Sequence, residues 1–302
     1  MEKRTLGRTG LSVSPLGFGG SEIGYRGATP DTVTRLLNAA LDAGLNVIDT
    51  AECYKNSEEL IGQAVAHRRK DFHLFTKVGH EHGWDKPHDW SAESIARTIE
   101  RSLKRLRTDC VDLVQLHSCG VDILEKGEAV AALQRARSQG KTRFIGYSGD
   151  DAPALHAVTS GLFDTLQTSV SIADQQSIDV LLPITREKNM GVIAKRPIAN
   201  AAWRDAVEPA PSVYHHTYWK RLKALSYEFL KDWERSNDAA SIALRFTLSQ
   251  PGVHTAIVGT TNPERWKQNA AMLDAGPLPK DQIDVIRAAW KRAASPDWVG
   301  QV

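Results

Sequence analysis

The chain has 302 residues, 41% hydrophobic and 25% charged, an ordinary globular composition that excludes the disordered and fibrous classes. Lysine and arginine number 38 against 36 acidic residues, and a net charge of +2 gives no global argument for nucleic acid or an anionic membrane. Cys53, Cys110 and Cys119 are too sparse for a disulfide framework, and the opening residues hold no signal-peptide stretch, so a reduced, cytoplasmic protein is expected.

The opening RTLGRTGLSVS has two short extended runs around glycines and predicts a β-hairpin. Ser14–Gly19 reads as the first core strand. A helix over Pro30–Ala43 follows, with proline at a favoured first position and Gly44 ending it. Asn46–Asp49 is the second strand, and a helix runs from Ser57 to about His67. Phe72–Val78 is the third strand and Ala92–Leu106 its helix. Val111–His117 is the fourth strand, followed by a helix over Leu124–Ser138 that Gly140 stops. The unit repeats at Thr142–Ser148 with Ala152–Thr159, and at Asp164–Thr168 with Ile178–Lys188. Gly191–Lys195 is the seventh strand, and 196–218 predicts a long irregular loop. Helical segments over 219–235 and 238–249 precede the eighth strand, Val253–Val258. Helices over Pro263–Leu273 and Lys280–Ala293 close the chain.

Short strands alternating with helices predict an α/β fold with a parallel sheet. Eight such units after the hairpin, each of about 38 residues, predict a (β/α)8 TIM barrel as one domain over 1–302. The rival is a doubly wound open sheet, which often carries a GxGxxG fingerprint after its first strand. Here the run is LGFGGSEIG, without that spacing.

In a parallel barrel every strand opens its C-terminal end on one face. That face receives Asp49 from the second strand, Lys77 from the third and His117 from the fourth, with Tyr54 in the loop after Asp49. Tyrosine holds its proton at neutral pH, and a nearby ammonium makes it a better acid. A carboxylate would orient the lysine, and a histidine would direct a carbonyl oxygen. The set suits proton donation to a carbonyl, with a cofactor supplying the hydride. Taken singly, each has a plainer reading: Asp49 as a turn cap, Tyr54 as a loop aromatic, Lys77 as a solvated charge, His117 as a structural histidine.

The run NVIDTAECYKNSEELIG, with LFTKVG and LVQLHS after it, is similar to the signature of the aldo-keto reductase family. The resemblance extends from LGRTGLSVSPLGFGG to PERWKQN. It implies a barrel, no metal, and a nicotinamide cofactor across the mouth. It implies Tyr54 as general acid, Lys77 and Asp49 as its tuning pair, and His117 as the group that orients the carbonyl. Gly20 and Ser21 fall near the nicotinamide ribose. Ser148, in IGYSG, and Gln167, in FDTLQTS, fall at the carboxamide. Lys195, Arg196, Pro197, Ile198 and Ala199 form the loop over the ribose and pyrophosphate. Gly259, Thr260, Thr261, Arg265, Gln268 and Asn269 form the adenosine end, with Arg265 on a 2′-phosphate. NADP(H) is the expected cofactor and NAD(H) the second choice. The expected partner is a small aldehyde, ketone or sugar, and the resemblance points to a monomer.

Four positions depart from the family pattern. Lys55 replaces a glycine, which is expected to alter the loop backbone. Gly149 replaces an asparagine, Lys195 an aromatic that stacks on the nicotinamide, and Gly259 a lysine. Tyr25, Trp84, Trp90 and Trp203 fall in loops after the first, third and seventh strands. Of these, Tyr25, Trp84 and Trp203, with His117, are the candidate substrate pocket. His80 and His82 form an HxH pair with His88 beyond it, which predicts a solvated loop or, alternatively, a zinc site of a barrel hydrolase. A cofactor-binding regulatory subunit with little turnover, as in potassium-channel β subunits, is the other alternative.

Overall fold

The computed structural model describes residues 2–84, 86–231 and 238–301. Eight parallel strands close into a barrel: β3 (Leu16–Gly19), β4 (Val47–Asp49), β5 (His73–Val78), β6 (Val111–His117), β7 (Thr142–Ser148), β8 (Thr165–Ser169), β9 (Gly191–Lys195) and β10 (Thr255–Val258). Two shorter strands precede them, β1 (Arg4–Thr5) and β2 (Ser12–Val13), paired antiparallel. They carry Leu6, Leu11 and Val13 into an apolar plug with Val47, Phe75, Leu113 and Ile193. The expected hairpin and barrel are therefore present.

The helices are α1 (Ser21–Tyr25), α2 (Pro30–Asp42), α3 (Ser57–Val65), α4 (Ala92–Leu106), α5 (Val121–Lys126) and α6 (Glu128–Ser138). They continue as α7 (Asp151–Ser160), α8 (Gln176–Glu187), α9 (His216–Leu225), α10 (Asp238–Leu248), α11 (Pro263–Ala271) and α12 (Lys280–Ala293). α2 shows why these segments are helical. Thr29 caps it by accepting from Thr32 N, Pro30 opens it, and Val33, Leu36, Leu37 and Ala40 fall on one buried stripe. α4 repeats the design, with Ser91 as its cap and Ile95, Ile99, Leu103 and Leu106 facing inward.

Several boundaries differ from the sequence expectation. The helix over Leu124–Ser138 is two helices, because Gly127 adopts φ 75° and ends one while starting the next. The helix after Ser57 tightens at Ala66–Asp71 into 3-10 turns. The irregular 196–218 stretch contains a 3-10 segment, Ala199–Arg204, and the next helix starts early, at His216. Of the helix expected over 219–235, residues 232–235 lie outside the described residues. No helix among the described residues is long and apolar enough to cross a membrane.

Register does the remaining work. Gly19 pairs with Asp49, His117 with Ser148, Ser148 with Gln167, and Ser169 with Lys195. The polar residues at the strand ends therefore share one rim of the barrel. A second apolar cluster, built by Trp203, Tyr218, Leu222, Phe246, Ile286 and Trp290 among others, lies apart from the main core and supports the loop after β9.

Candidate active site

Asp49 ends β4 and Lys77 lies one residue before the end of β5, each with 1% of its side chain exposed. Lys77 Nζ lies 2.5 Å from Asp49 Oδ1 and donates to the Thr50 carbonyl at 2.8 Å. The other oxygen, Asp49 Oδ2, accepts from Gln167 Nε2 at 3.1 Å and Gln115 Nε2 at 3.5 Å. Burial pushes the Asp49 carboxyl up, and Lys77 opposes it.

Tyr54 stands above this pair, half-buried, with Lys77 Nζ 5.2 Å from its ring centroid. Protein crowds the phenol closely enough that desolvation pushes it well above its usual 10. The neighbouring Cys53, Asp49 and Tyr214 add to the rise, and Arg196 opposes it. Lysine alone was expected to lower this group; with Asp49 holding the ammonium, burial prevails. The His117 ring lies edge-on to Tyr54 at 5.7 Å. Burial, then Lys77 and His80, hold its imidazole well below 6.5, so it is neutral. Its Nδ1 lies 3.6 Å from Cys53 Sγ, and burial pushes the Cys53 thiol up to about 12. The structure thus brings Tyr54, Lys77, Asp49 and His117 together.

The expected cofactor residues line the same rim. Gly20 N donates to the Asp49 carbonyl at 2.7 Å, and Ser21 opens α1 beside it. Ser148 Oγ donates to Gln167 Oε1 at 2.9 Å, so the two residues expected at a carboxamide here engage each other and Asp49. Gly149 has a local reason: a Cβ there would lie 2.6 Å from the Tyr147 ring, whose hydroxyl is bound to the Cys119 carbonyl. Lys55 adopts the left-handed backbone, φ 50°, so the loop keeps the turn a glycine would make and strains the lysine instead.

After β9, Lys195 Nζ lies 2.9 Å from Asp150 Oδ2 and Arg196 Nη1 3.8 Å from the same oxygen. Arg196 also donates to Ser169 Oγ at 2.8 Å, to the Tyr214 hydroxyl at 2.7 Å and to the Gln301 carbonyl. Pro197 and Ile198 lead into the 3-10 segment that Ala199 opens, where the buried Asn200 Nδ2 has no hydrogen-bond partner among the described residues. Gly259, Thr260 and Thr261 follow β10. Asn262 caps α11, placing Arg265 half-buried in its first turn, Gln268 exposed and Asn269 buried. These features fit a phosphate-bearing dinucleotide: two partly exposed cations against one buried carboxylate, an unused amide donor, and an arginine by a helix start.

Aromatics divide into two groups. Tyr25, 45% exposed, lies 6.0 Å from the Tyr54 ring, and Trp84, 38% exposed, lies 4.8 Å from His117. Both flank the mouth. Trp203 differs: it is 7% exposed and packs in the second core with Tyr218 and Leu222. His80 is not a solvated loop residue either, being 2% exposed and bonded to the His117 carbonyl. His82 is exposed, and no cluster of His, Cys, Asp and Glu among the described residues is arranged to hold a metal.

Asp150, Tyr214, Gln115 and Glu52 were not anticipated. Asp150 had a signal: an acidic residue two positions after a strand end, in YSGD, across the rim from a lysine at another strand end. Tyr214 lies in an irregular loop, where no periodicity reports on position.

Residues 15–291 match the model of the Aldo/keto reductase family. The L-galactose dehydrogenase of Arabidopsis thaliana is 29% identical over 298 residues, 93% of this chain and 91% of that protein. The NADH-specific methylglyoxal reductase of Escherichia coli is 29% identical over 311 residues, covering 91% and 94%. An aldo-keto reductase of Klebsiella pneumoniae in complex with NADPH superposes with a TM-score of 0.76 at 26% identity, over 98% of this chain and 97% of that one. With its barrel, its strand-end residues and these matches, the chain is an oxidoreductase of the aldo-keto reductase family.

Proposed function

We propose that the protein reversibly reduces the carbonyl of a small aldehyde, ketone or sugar with NADPH, with Tyr54 as the proton donor. The observation that carries this reading is the Tyr54 phenol above the buried Lys77–Asp49 pair, with neutral His117 beside it. The bound reduced nicotinamide supplies the hydride. Gly20, Ser21, Ser148, Gln167 and the Lys195–Ala199 loop would hold its nicotinamide half and pyrophosphate. Gly259, Thr260, Thr261, Arg265, Gln268 and Asn269 would hold the adenosine end.

A phenol raised above 10 keeps its proton at neutral pH, so Tyr54 is always loaded. As the proton leaves, the Lys77 ammonium stabilises the phenolate that forms. Asp49 keeps Lys77 in place. Cys53 remains a thiol 3.6 Å from His117 Nδ1; in the tautomer whose Nδ1 accepts from that S–H, His117 keeps its Nε2–H for the carbonyl oxygen. Trp84 and Tyr25 supply apolar walls. Gly259 offers no cation, so NADH serves as the weaker second cofactor.

The test is Tyr54→Phe assayed on a panel of aldehydes, ketones and sugars. Turnover should fall by about a hundredfold to ten-thousandfold, with NADPH binding, followed by cofactor fluorescence, retained. Turnover of this variant at the parental rate would remove Tyr54 from the mechanism.

A further inference from the structure

Glu52 lies two residues before Tyr54 and takes no part in the chemistry above. Its carboxylate is buried and both oxygens are engaged. Oε1 accepts from the backbone N–H of Gly79 at 2.6 Å and of His80 at 2.7 Å. Oε2 accepts from Arg101 Nη2 at 2.8 Å. Its own N–H donates to the Lys77 carbonyl at 3.2 Å. Arg101 is braced in turn by Glu81, 3.4 Å away. Burying a carboxylate is expensive unless it is paired and hydrogen-bonded, so this is a built contact. It ties the loop that carries Tyr54 to the segment leaving the strand that carries Lys77.

His80 extends the tie. Its Nε2 lies 2.5 Å from the His117 carbonyl oxygen. A carbonyl only accepts, so Nε2 bears the proton. Burial lowers this imidazole to about 4, so the ring is neutral and Nδ1 offers a lone pair, which faces His88 Nε2 at 3.1 Å. Trp84 lies against the same ring, tilted by 33°, with centroids 3.8 Å apart. The series Arg101, Glu52, His80, His117 therefore connects the three segments that bear Tyr54, Lys77 and His117.

We propose that Glu52 and His80 are the positioning residues of this site, holding the Tyr54 phenol and the His117 imidazole so that both meet one carbonyl oxygen. The proposal rests on the reductase reading, and misplacing a reacting group by about 1 Å can cost about a hundredfold in rate.

The full-length enzyme is assayed with NADPH and the aldehyde it turns over fastest. kcat is normalised to NADPH sites counted by fluorescence titration. Glu52→Ala removes the acceptor for Gly79, His80 and Arg101. Glu52→Gln keeps a carbonyl oxygen for the two N–H groups. His80→Phe keeps a ring against Trp84 and removes the donor to His117. We expect kcat to fall about a hundredfold in Glu52→Ala and about tenfold in His80→Phe, with the NADPH Kd within about twofold of parental. Glu52→Gln should recover about tenfold of the loss. A merely structural role would lower the number of active sites, leave kcat per site unchanged and show no rescue.

Glu52→Ala and His80→Phe at parental kcat, beside an inactive Tyr54→Phe, would overturn the positioning role and leave the reductase reading intact. Tyr54→Phe at the parental rate would sink both. Should Glu52→Ala not fold, His80→Phe decides alone: a fall in kcat at unchanged Kd supports the proposal, and no fall overturns it.

Discussion

Two aspartate–lysine pairs stand on the barrel rim, one fully buried and one with a partly exposed lysine, and their surroundings differ. Asp49 and Lys77 match one to one, and the remaining carboxylate oxygen is filled by neutral glutamine amides. Asp150 instead faces two cations, Lys195 and Arg196, and accepts further bonds from Thr168 Oγ1, Ser169 N and Ser169 Oγ. The carboxyls respond in opposite senses. Burial pushes Asp49 up, whereas at Asp150 the two cations overcome the same burial and hold it below the usual range. The first pair is neutral as a unit and suits a proton donor. The second leaves one positive charge uncompensated and suits an anionic group. The same two residue types thus acquire opposite electrostatics from the count of charges around them.

The contrast predicts unequal stability losses. Lys77→Met leaves Asp49 buried without a counter-ion, which should cost about 3–5 kcal/mol. Lys195→Met leaves Asp150 with the Arg196 charge 3.8 Å away and three hydrogen-bond donors, so the loss should be about 1–2 kcal/mol. Urea unfolding of both variants measures the difference. Equal losses would mean that the two sites are energetically alike and the contrast is wrong.

The excess charge predicts cofactor behaviour next. Arg196→Met should weaken NADPH and NADH alike, by about tenfold, since it removes charge that both dinucleotides use. Arg265→Ala should weaken NADPH by about ten- to a hundredfold and leave NADH nearly unchanged, because only NADPH carries a 2′-phosphate. Fluorescence titration with each cofactor reads both variants. Equal losses for the two cofactors in Arg265→Ala would remove that arginine from the 2′-phosphate.

The two regions also differed in how far they were legible in the sequence. Asp49, Lys77 and His117 lie at or next to the ends of strands whose apolar runs are plain, so the shared C-terminal face of a parallel barrel predicted their meeting. Asp150 follows an equally plain strand, but the glycine before it drew attention as a substitution and the aspartate passed unread. Its role depends on β8 and β9 arriving beside it, which is tertiary information. Trp203 carried an ambiguous signal. A tryptophan in a loop after a strand end resembles a pocket wall, but this loop folds back over a second core of its own. The break at Gly127 was readable in principle, as a glycine inside a helical run. Glu52 carried no signal, because a buried, fully bonded glutamate has the same letter as an exposed one.

A titrating carboxyl sharpens the comparison further. Asp174, beside the second region, accepts from the Tyr218 hydroxyl at 3.0 Å and lies 3.7 Å from Arg221. Burial, then the charge of Asp150, push it up to about 7. Below about pH 4 both folded and unfolded states hold this proton. Between about pH 4 and 7 only the folded state keeps it, so its contribution to stability falls as pH rises, and above 7 the dependence ends. Asp174→Asn should remove that slope. The check is the difference in unfolding free energy between parent and variant at about pH 4.5, 6 and 8. A difference that does not change with pH would show that Asp174 is ionised throughout.

Two backbone positions test how firmly each region is held. Tyr54 is followed by Lys55 at φ 50°, and Lys195 by Arg196 at φ 56°, both left-handed without being glycine. Such a residue costs about 1–2 kcal/mol unless contacts repay it. Lys55 has an exposed side chain whose ammonium lies 5.2 Å from the Tyr25 ring centroid, worth about 0.5 kcal/mol at an exposed site. Arg196 is held by Ser169, Tyr214, Asp150 and the Gln301 carbonyl together. Glycine at 55 therefore relieves more strain than the contact it removes, offset in part by its greater freedom when unfolded. We expect Lys55→Gly to stabilise by about 0.5 kcal/mol and Arg196→Gly to destabilise by about 2 kcal/mol. Thermal unfolding reads the signs directly. Two stabilised variants would mean that the Arg196 contacts add little, and that the second region, like the first loop, keeps its strained backbone for its site and not for its fold.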